Sequence, residues 1–199
     1  MANRNTAGFG LIAQGTVGST PATQGQGKYY IDAAYDKSLY QGTAVQSKVG
    51  YIKVGQNGAT DKTIGVLNGI FYNAATTQKP TWANHYAQPI TPANSEDTQA
   101  FVNDYPFQKY HIASDAAVAS SVPAAHVKFM ETFSVYANTG GSTSTGKSTT
   151  TLDIGATNAT THSWRLLRSA EEVENSDLTA AYCTLEVVQN LSEFVGTGT

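Results

Sequence analysis

Nowhere in this chain do apolar residues hold a helical stripe for as many as four turns; they come in short runs broken by Gly, Asn and Pro. A run of that length completes a strand but not a helix that buries one face. In the first half, residues 29–35, 40–45, 49–54, 64–67 and 70–72 are such runs. Within 49–54, Val49, Tyr51 and Lys53 alternate with Ile52 and Val54. The Asn-Gly pair inside Gln56-Asn57-Gly58-Ala59 marks a tight turn. In the second half, 127–136 sets Val127, Phe129, Phe133 and Val135 on one face, and 149–154, 164–167 and 182–188 are further strand candidates rich in β-branched residues. Two segments carry helical signal. Residues 169–174 begin with a serine N-cap followed by acids, which predicts one short helix, and 114–121 is Ala-rich but stops before Pro123. The expectation is an all-β protein of small antiparallel barrel or sandwich domains, with at most one or two short helices.

Residues 1–28 scatter six glycines among Thr, Gln and Pro21, with few apolar anchors, which predicts an extended N-terminal arm. Gly196-Thr197-Gly198-Thr199 gives the other end a similar tail. Pro89, Pro92, Asn94 and Ser95 cluster near Gln88–Thr98 and suggest a linker. It would separate a first β-domain, 29–97, from a second, 98–199, that carries the tail. A long loop within one domain is the alternative.

Composition narrows the function. Charged residues are 14% of the chain, against about 25% in an ordinary soluble domain. Gly, Ser and Thr together make 59 of 199 residues, so the surface is built from neutral hydroxyls and amides. With 12 basic against 15 acidic residues, the chain lacks the positive field that binds nucleic acid. No apolar run approaches the length of a membrane-spanning helix, and the opening residues lead into no apolar signal core. The expectation is synthesis in a cytoplasm. Cys183 is the sole cysteine, which excludes an intrachain disulfide and a thiolate metal site.

One motif invites a chemical reading. Gly141-Ser142-Thr143-Ser144-Thr145-Gly146-Lys147-Ser148 satisfies the nucleotide-binding P-loop pattern letter for letter. A P-loop must open a helix whose N-terminal amides hold the phosphate, yet β-branched Thr149-Thr150-Thr151 follows here. A hairpin loop is the expectation. His85, His111, His126 and His162 stand at no metal-ligand spacing, and no nucleophile elbow occurs. The acids Glu171, Glu172, Glu174 and Asp177 lack the glycine-containing spacing of a calcium loop. No catalytic residue, metal or cofactor is expected. The 11 tyrosines are more suggestive, since Tyr offers a large contact area and a polar tip and is enriched at interfaces.

Three stretches form a recognisable order: Tyr40-Gln41-Gly42-Thr43-Ala44-Val45 leading to Gly50-Tyr51-Ile52, then Ile64-Gly65-Val66-Leu67-Asn68-Gly69-Ile70-Phe71-Tyr72, then residues 100–110 from Ala100-Phe101-Val102 to Lys109-Tyr110. This order resembles small head-associated structural proteins of tailed bacteriophages, particularly of marine phages. The likeness covers 35–110, and the second half matches in style. The resemblance implies a non-enzymatic capsid decoration, or cement, protein on the outside of the virion. Its expected partners are the major capsid protein and other copies of itself, with no nucleic acid and no membrane. Extended arms that add strands to a neighbour's sheet edge would suit that role. The implied capsid-interface residues are Phe9, Leu11, Ile12, Tyr29, Tyr30, Tyr40, Phe71 and Tyr72. A tail or surface-knob protein contacting host glycans through aromatics such as Trp82 and Trp164 is the alternative, and an enzyme is the third class.

Overall fold

The computed structural model describes residues 3–18, 25–55, 60–88, 90–155 and 161–195. The expected Asn57-Gly58 turn, Pro89 of the expected linker and the 196–199 tail lie outside these residues. In chain order the strands are β1 (Ile12–Thr16), β2 (Gly27–Ile31), β3 (Ala44–Lys48), β4 (Tyr51–Val54), β5 (Gly65–Asn73), β6 (Pro80–Ala83) and β7 (Thr98–Asn103). There follow β8 (Gln108–Ala113), β9 (Thr132–Phe133), β10 (Val135–Tyr136), β11 (Thr151–Leu152), β12 (Trp164–Ser169) and β13 (Thr184–Gln189). The described helices are α1 (Val122–His126) and a single 3-10 turn at Ala93–Ser95. The chain is mainly β and its strand ladders are antiparallel.

One sheet runs β2-β7-β5-β3-β4, with β6 also against β5. Its inner face carries Ile31, Val45, Ile52, Leu67, Ile70, Ala100 and Val102, and Leu39 and Tyr86 from the intervening loops close over them. Strand β4 comes alongside β2 without forming a ladder, so no barrel closes. The other sheet runs β1-β8-β13-β12-β9. Its inner face carries Tyr110, Ile112, Leu185, Val187, Leu166, Trp164 and Phe133, with the β10–β11 ribbon laid over it through Val135 and Leu152. Ala44 and Val66 of the first sheet belong to this second core, which joins the sheets in a sandwich-like arrangement. Tyr110 and Trp164 meet edge-on at 5.4 Å between ring centroids, the favoured geometry for two quadrupoles.

The boundaries fall differently from the sequence expectation. Strand β7 pairs with both β2 and β5, so the chain changes sheets at residues 104–107 and not in Gln88–Thr98. The alternation of Thr98, Ala100 and Val102 inward and Gln99, Phe101 and Asn103 outward anchors β7 in the first core. The N-terminal segment is no free arm over residues 3–18. Asn3 Nδ2 donates to the carbonyls of Asp177 and Ala181, the Gly10 amide to Thr150, and Leu11 is buried in the second core. Strand β1 pairs with β8, and β2 begins inside the stretch expected to be arm.

Two local readings are corrected. The expected helix at 169–174 is absent: Ser169 ends β12, the Ala170 amide bonds to Thr184, and Glu171 sits at φ 57°, which no helix admits. Val173 is 97% exposed there, with no face to bury. The expected long strand over 127–136 is broken. Helix α1, with proline in its first turn, leads into Val127, and Met130 at φ 70° reverses the chain before β9. In the sequence, Glu131 interrupts the apolar face formed by Val127, Phe129, Phe133 and Val135, and the chain breaks beside it.

Candidate functional site

The eight expected interface residues separate by depth. Leu11 and Tyr40 are buried; the Tyr40 ring stacks on His85 at 5.8 Å and covers Gly141, where even a β-carbon would clash. Tyr29 and Tyr72 pack partly buried against the first core, and the Tyr29 hydroxyl donates to Asp104 Oδ2 at 2.7 Å. Burial first, then that carboxylate, pushes its phenol far above the ordinary range. Phe9 is half-buried, while Ile12 is 44% and Tyr30 41% exposed. Phe71 lies half-buried on the outer face of β5. Leu11, Tyr40, Tyr29 and Tyr72 therefore hold the fold together, and Phe9, Ile12, Tyr30 and Phe71 reach surface.

The lysine-bearing Gly-Ser-Thr loop is a hairpin. Gly141 bridges Ser148, the Ser142 amide donates to the Lys147 carbonyl at 2.9 Å, and Gly146 takes φ 68° to make the turn. Beyond Ser148 the chain runs extended into β11. The helix N-terminus that would face a phosphate is not formed. Instead, the loop clamps Gln41: the Gln41 amide bonds to Gly146, and the Ser148 amide to the Gln41 carbonyl.

Other polar clusters are satisfied structurally. Glu186, buried on the outer face of β13, accepts from Lys109 at 3.3 Å and from Arg168 Nε at 3.2 Å, with His111 at 3.9 Å. A carboxylate so occupied has its acceptor sites taken by structural partners. Burial raises the Cys183 thiol, against which Ser114 Oγ at 3.2 Å pulls weakly down. Such a thiol is a small apolar side chain and not a nucleophile. Among the described residues no group of His, Cys, Asp and Glu is placed to hold a metal ion. No described helix is long and apolar enough to cross a membrane.

What the surface does offer is aromatic. Cross-strand pairs share a face, so the registers Tyr30↔Gln99, Gln99↔Phe71 and Phe71↔Trp82 set one row across β2, β7, β5 and β6. The next row is Lys28↔Phe101 and Phe101↔Gly69. Trp82 is 54% exposed, lies over Gly69 and meets Phe101 at 5.1 Å; Lys28 Nζ sits 5.5 Å from the Tyr30 centroid. Beside this row opens a cleft of about 340 Å³, lined by Phe9, Ile12, Gln41, Asn68, Asn103 and Lys147 among others. A second apolar patch lies where the sheets exchange the chain. The Val17 amide bonds to the Phe107 carbonyl, Tyr105 and Phe107 meet edge-on at 5.8 Å, and Phe107 is 52% exposed. Strand β1, next to Val17, ends its sheet and pairs with no described strand on its other side.

Phe101, Phe107 and Val17 were missed as surface residues in the sequence. The period-two alternation of 98–103 carries the signal for Phe101; nothing local marks the other two.

No family model matches the chain, and comparison with curated proteins and with solved structures returns no match.

Proposed function

We propose that the chain is a non-enzymatic virion structural protein that seats on the outside of a tailed-phage head and bridges neighbouring major capsid subunits. The reading rests on the resemblance carried by residues 40–52, 64–72 and 100–110, and one structural observation supports it. On the side away from β8, β1 pairs with no described strand; exposed Ile12 lies on it, exposed Val17 follows its last residue, and exposed Phe107 sits across the ladder from Val17. A bare edge beside apolar side chains offers backbone hydrogen bonds and burial to an extended segment of a partner, the mode by which sheets are lengthened between chains. Repetition of one weak contact over a lattice of capsid subunits, and between copies of the chain, then gives avidity.

The test is occupancy on purified heads stripped of the chain. Val17→Lys with Phe107→Lys is expected to abolish rebinding while leaving the thermal midpoint of the free protein nearly unchanged. Full rebinding of the double variant overturns the docking edge, and binding of the native chain to tails alone overturns the shell reading.

A further inference from the structure

We infer that the outer face of the β2-β7-β5-β6 sheet, together with the cleft beside it, is a binding site for a neutral oligosaccharide. The inference does not rest on the shell reading: Ile12 borders both surfaces, but Trp82 and Phe101, which carry the site, are not part of the β1 edge. A pyranose presents an apolar C–H face and a rim of hydroxyls that both donate and accept. Its receptor needs a flat aromatic surface with adjoining groups of both hydrogen-bonding kinds.

Both are present; the aromatic rings do not line the cleft themselves, but β5 and β7 lead from one to the other. Trp82 and Phe101 lie side by side on the sheet, and the indole is held flat because residue 69 is glycine: a β-carbon there would stand 2.5 Å from the indole ring. From Phe101, two residues along the same face of β7, comes Asn103; from Gly69, one residue back at the β5 irregularity, comes Asn68. Both amides line the cleft, with Gln41 opposite. Gln41 Nε2 donates to Asn68 Oδ1 at 3.0 Å, which leaves the Gln41 Oε1 acceptor and the Asn68 Nδ2 donor group to face the cleft. An amide offers a donor and an acceptor whichever way it is turned, as a hydroxyl rim requires. Lys147, delivered by the hairpin that imitates a P-loop, adds one cationic donor.

No carboxylate lines this cleft among the described residues. Glycoside hydrolysis ordinarily needs a pair of them, so the site binds and does not cleave. The same lack leaves the lining without repulsion toward a sugar and without an ion-pair partner for a basic peptide.

The two tryptophans make the test clean, because Trp164 is fully buried and acrylamide reaches Trp82 alone. Hexasaccharides of glucose, mannose, galactose and N-acetylglucosamine are added in turn at millimolar concentration. At least one is expected to shield Trp82 from quenching in a saturable way. By calorimetry, Trp82→Ala and Phe101→Ala then weaken that ligand roughly tenfold each, the loss of one stacking surface. Asn103→Ala weakens it less, and the melting temperature of each variant stays close to the native one. Cosedimentation with bacterial envelopes, lost in Trp82→Ala, would mark the glycan as a cell-surface one; hexasaccharide binding without cosedimentation marks a soluble glycan, and either result keeps the site. Absence of shielding by every hexasaccharide overturns it. So does loss of head occupancy in Trp82→Ala with sugar affinity intact, which would give the face to a protein partner.

Discussion

Asn138 imitates a strand against Ala44: its Oδ1 accepts from the Ala44 amide at 3.1 Å while its Nδ2 donates to the Ala44 carbonyl at 2.9 Å. The same Nδ2 reaches the Gly55 carbonyl at 2.9 Å, so one buried side chain ties the start of β3 and the end of β4 to the segment before the Gly-Ser-Thr hairpin. Asn138→Ala strands the buried Ala44 amide and the Gly55 carbonyl, while the Ala44 carbonyl keeps the Gly55 amide, and is expected to lower stability by about 2 kcal/mol. Asn138→Asp keeps the acceptor but buries a charge and loses the donor, and should cost more. Urea midpoints of the two variants check the order.

The phenols of Tyr29 and Tyr110 define the alkaline limit. Burial leads both shifts, and each is pushed well above the free-tyrosine value of 10.0. A group whose folded-state pKa is raised keeps its full contribution below the unfolded value. That contribution is lost as pH climbs beyond it, because the unfolded chain then releases a proton that the folded one retains. Stability should therefore be flat in this respect up to pH 10 and fall above it. Urea midpoints measured alongside phenolate absorbance test this, and Tyr29→Phe should flatten the fall.

Cys183 should resist thiol reagents in the native protein and react fully once urea unfolds it. Its sulfur is buried beneath β13 against Ser114, and burial keeps it protonated. Rapid labelling of the folded chain by a chromogenic disulfide would contradict the described packing.

Lys147 lies at the rim of an amide cleft and not over a phosphate cradle. The native chain and Lys147→Ala should give the same flat response when titrated with ATP and magnesium. Saturable binding lost in the variant would mean that the hairpin rearranges to a helix start, against its β-branched sequence.

The strand content was legible because it follows from local chemistry: alternation placed β4, the run expected at 164–167 opens β12, and the two runs 64–67 and 70–72 join into β5. The fate of the hairpin was legible too, since three threonines after Ser148 disfavour a helix. What escaped was decided at long range. The glycines near the N-terminus looked like an entropic arm; instead, Gly8 and Gly10 let the backbone press against Thr149 and Ser148. The acids at 171–174 looked like a helix start, yet Glu172 accepts from the Thr184 hydroxyl at 2.9 Å and holds an extended turn against β13. For the candidate site, tryptophan identity gave no depth. Trp82 faces out because β6 is short and lies at the rim, while Trp164 pairs with Phe133 and Gln189 inside the sheet.

The placement of residues 3–16 has a bearing on biosynthesis. Asn3 and Asn5 are satisfied by residues 175–184, and Arg4 pairs with Glu174 at 2.6 Å. Residues 3–5 thus find their partners only after residues 174–184, about 170 positions later, have been made. Closing so long a loop makes for slow folding, and until then Leu11 lacks part of the core it enters. Residues 3–11 act as a clasp, unfastened until the strand at Thr184–Gln189 is in place.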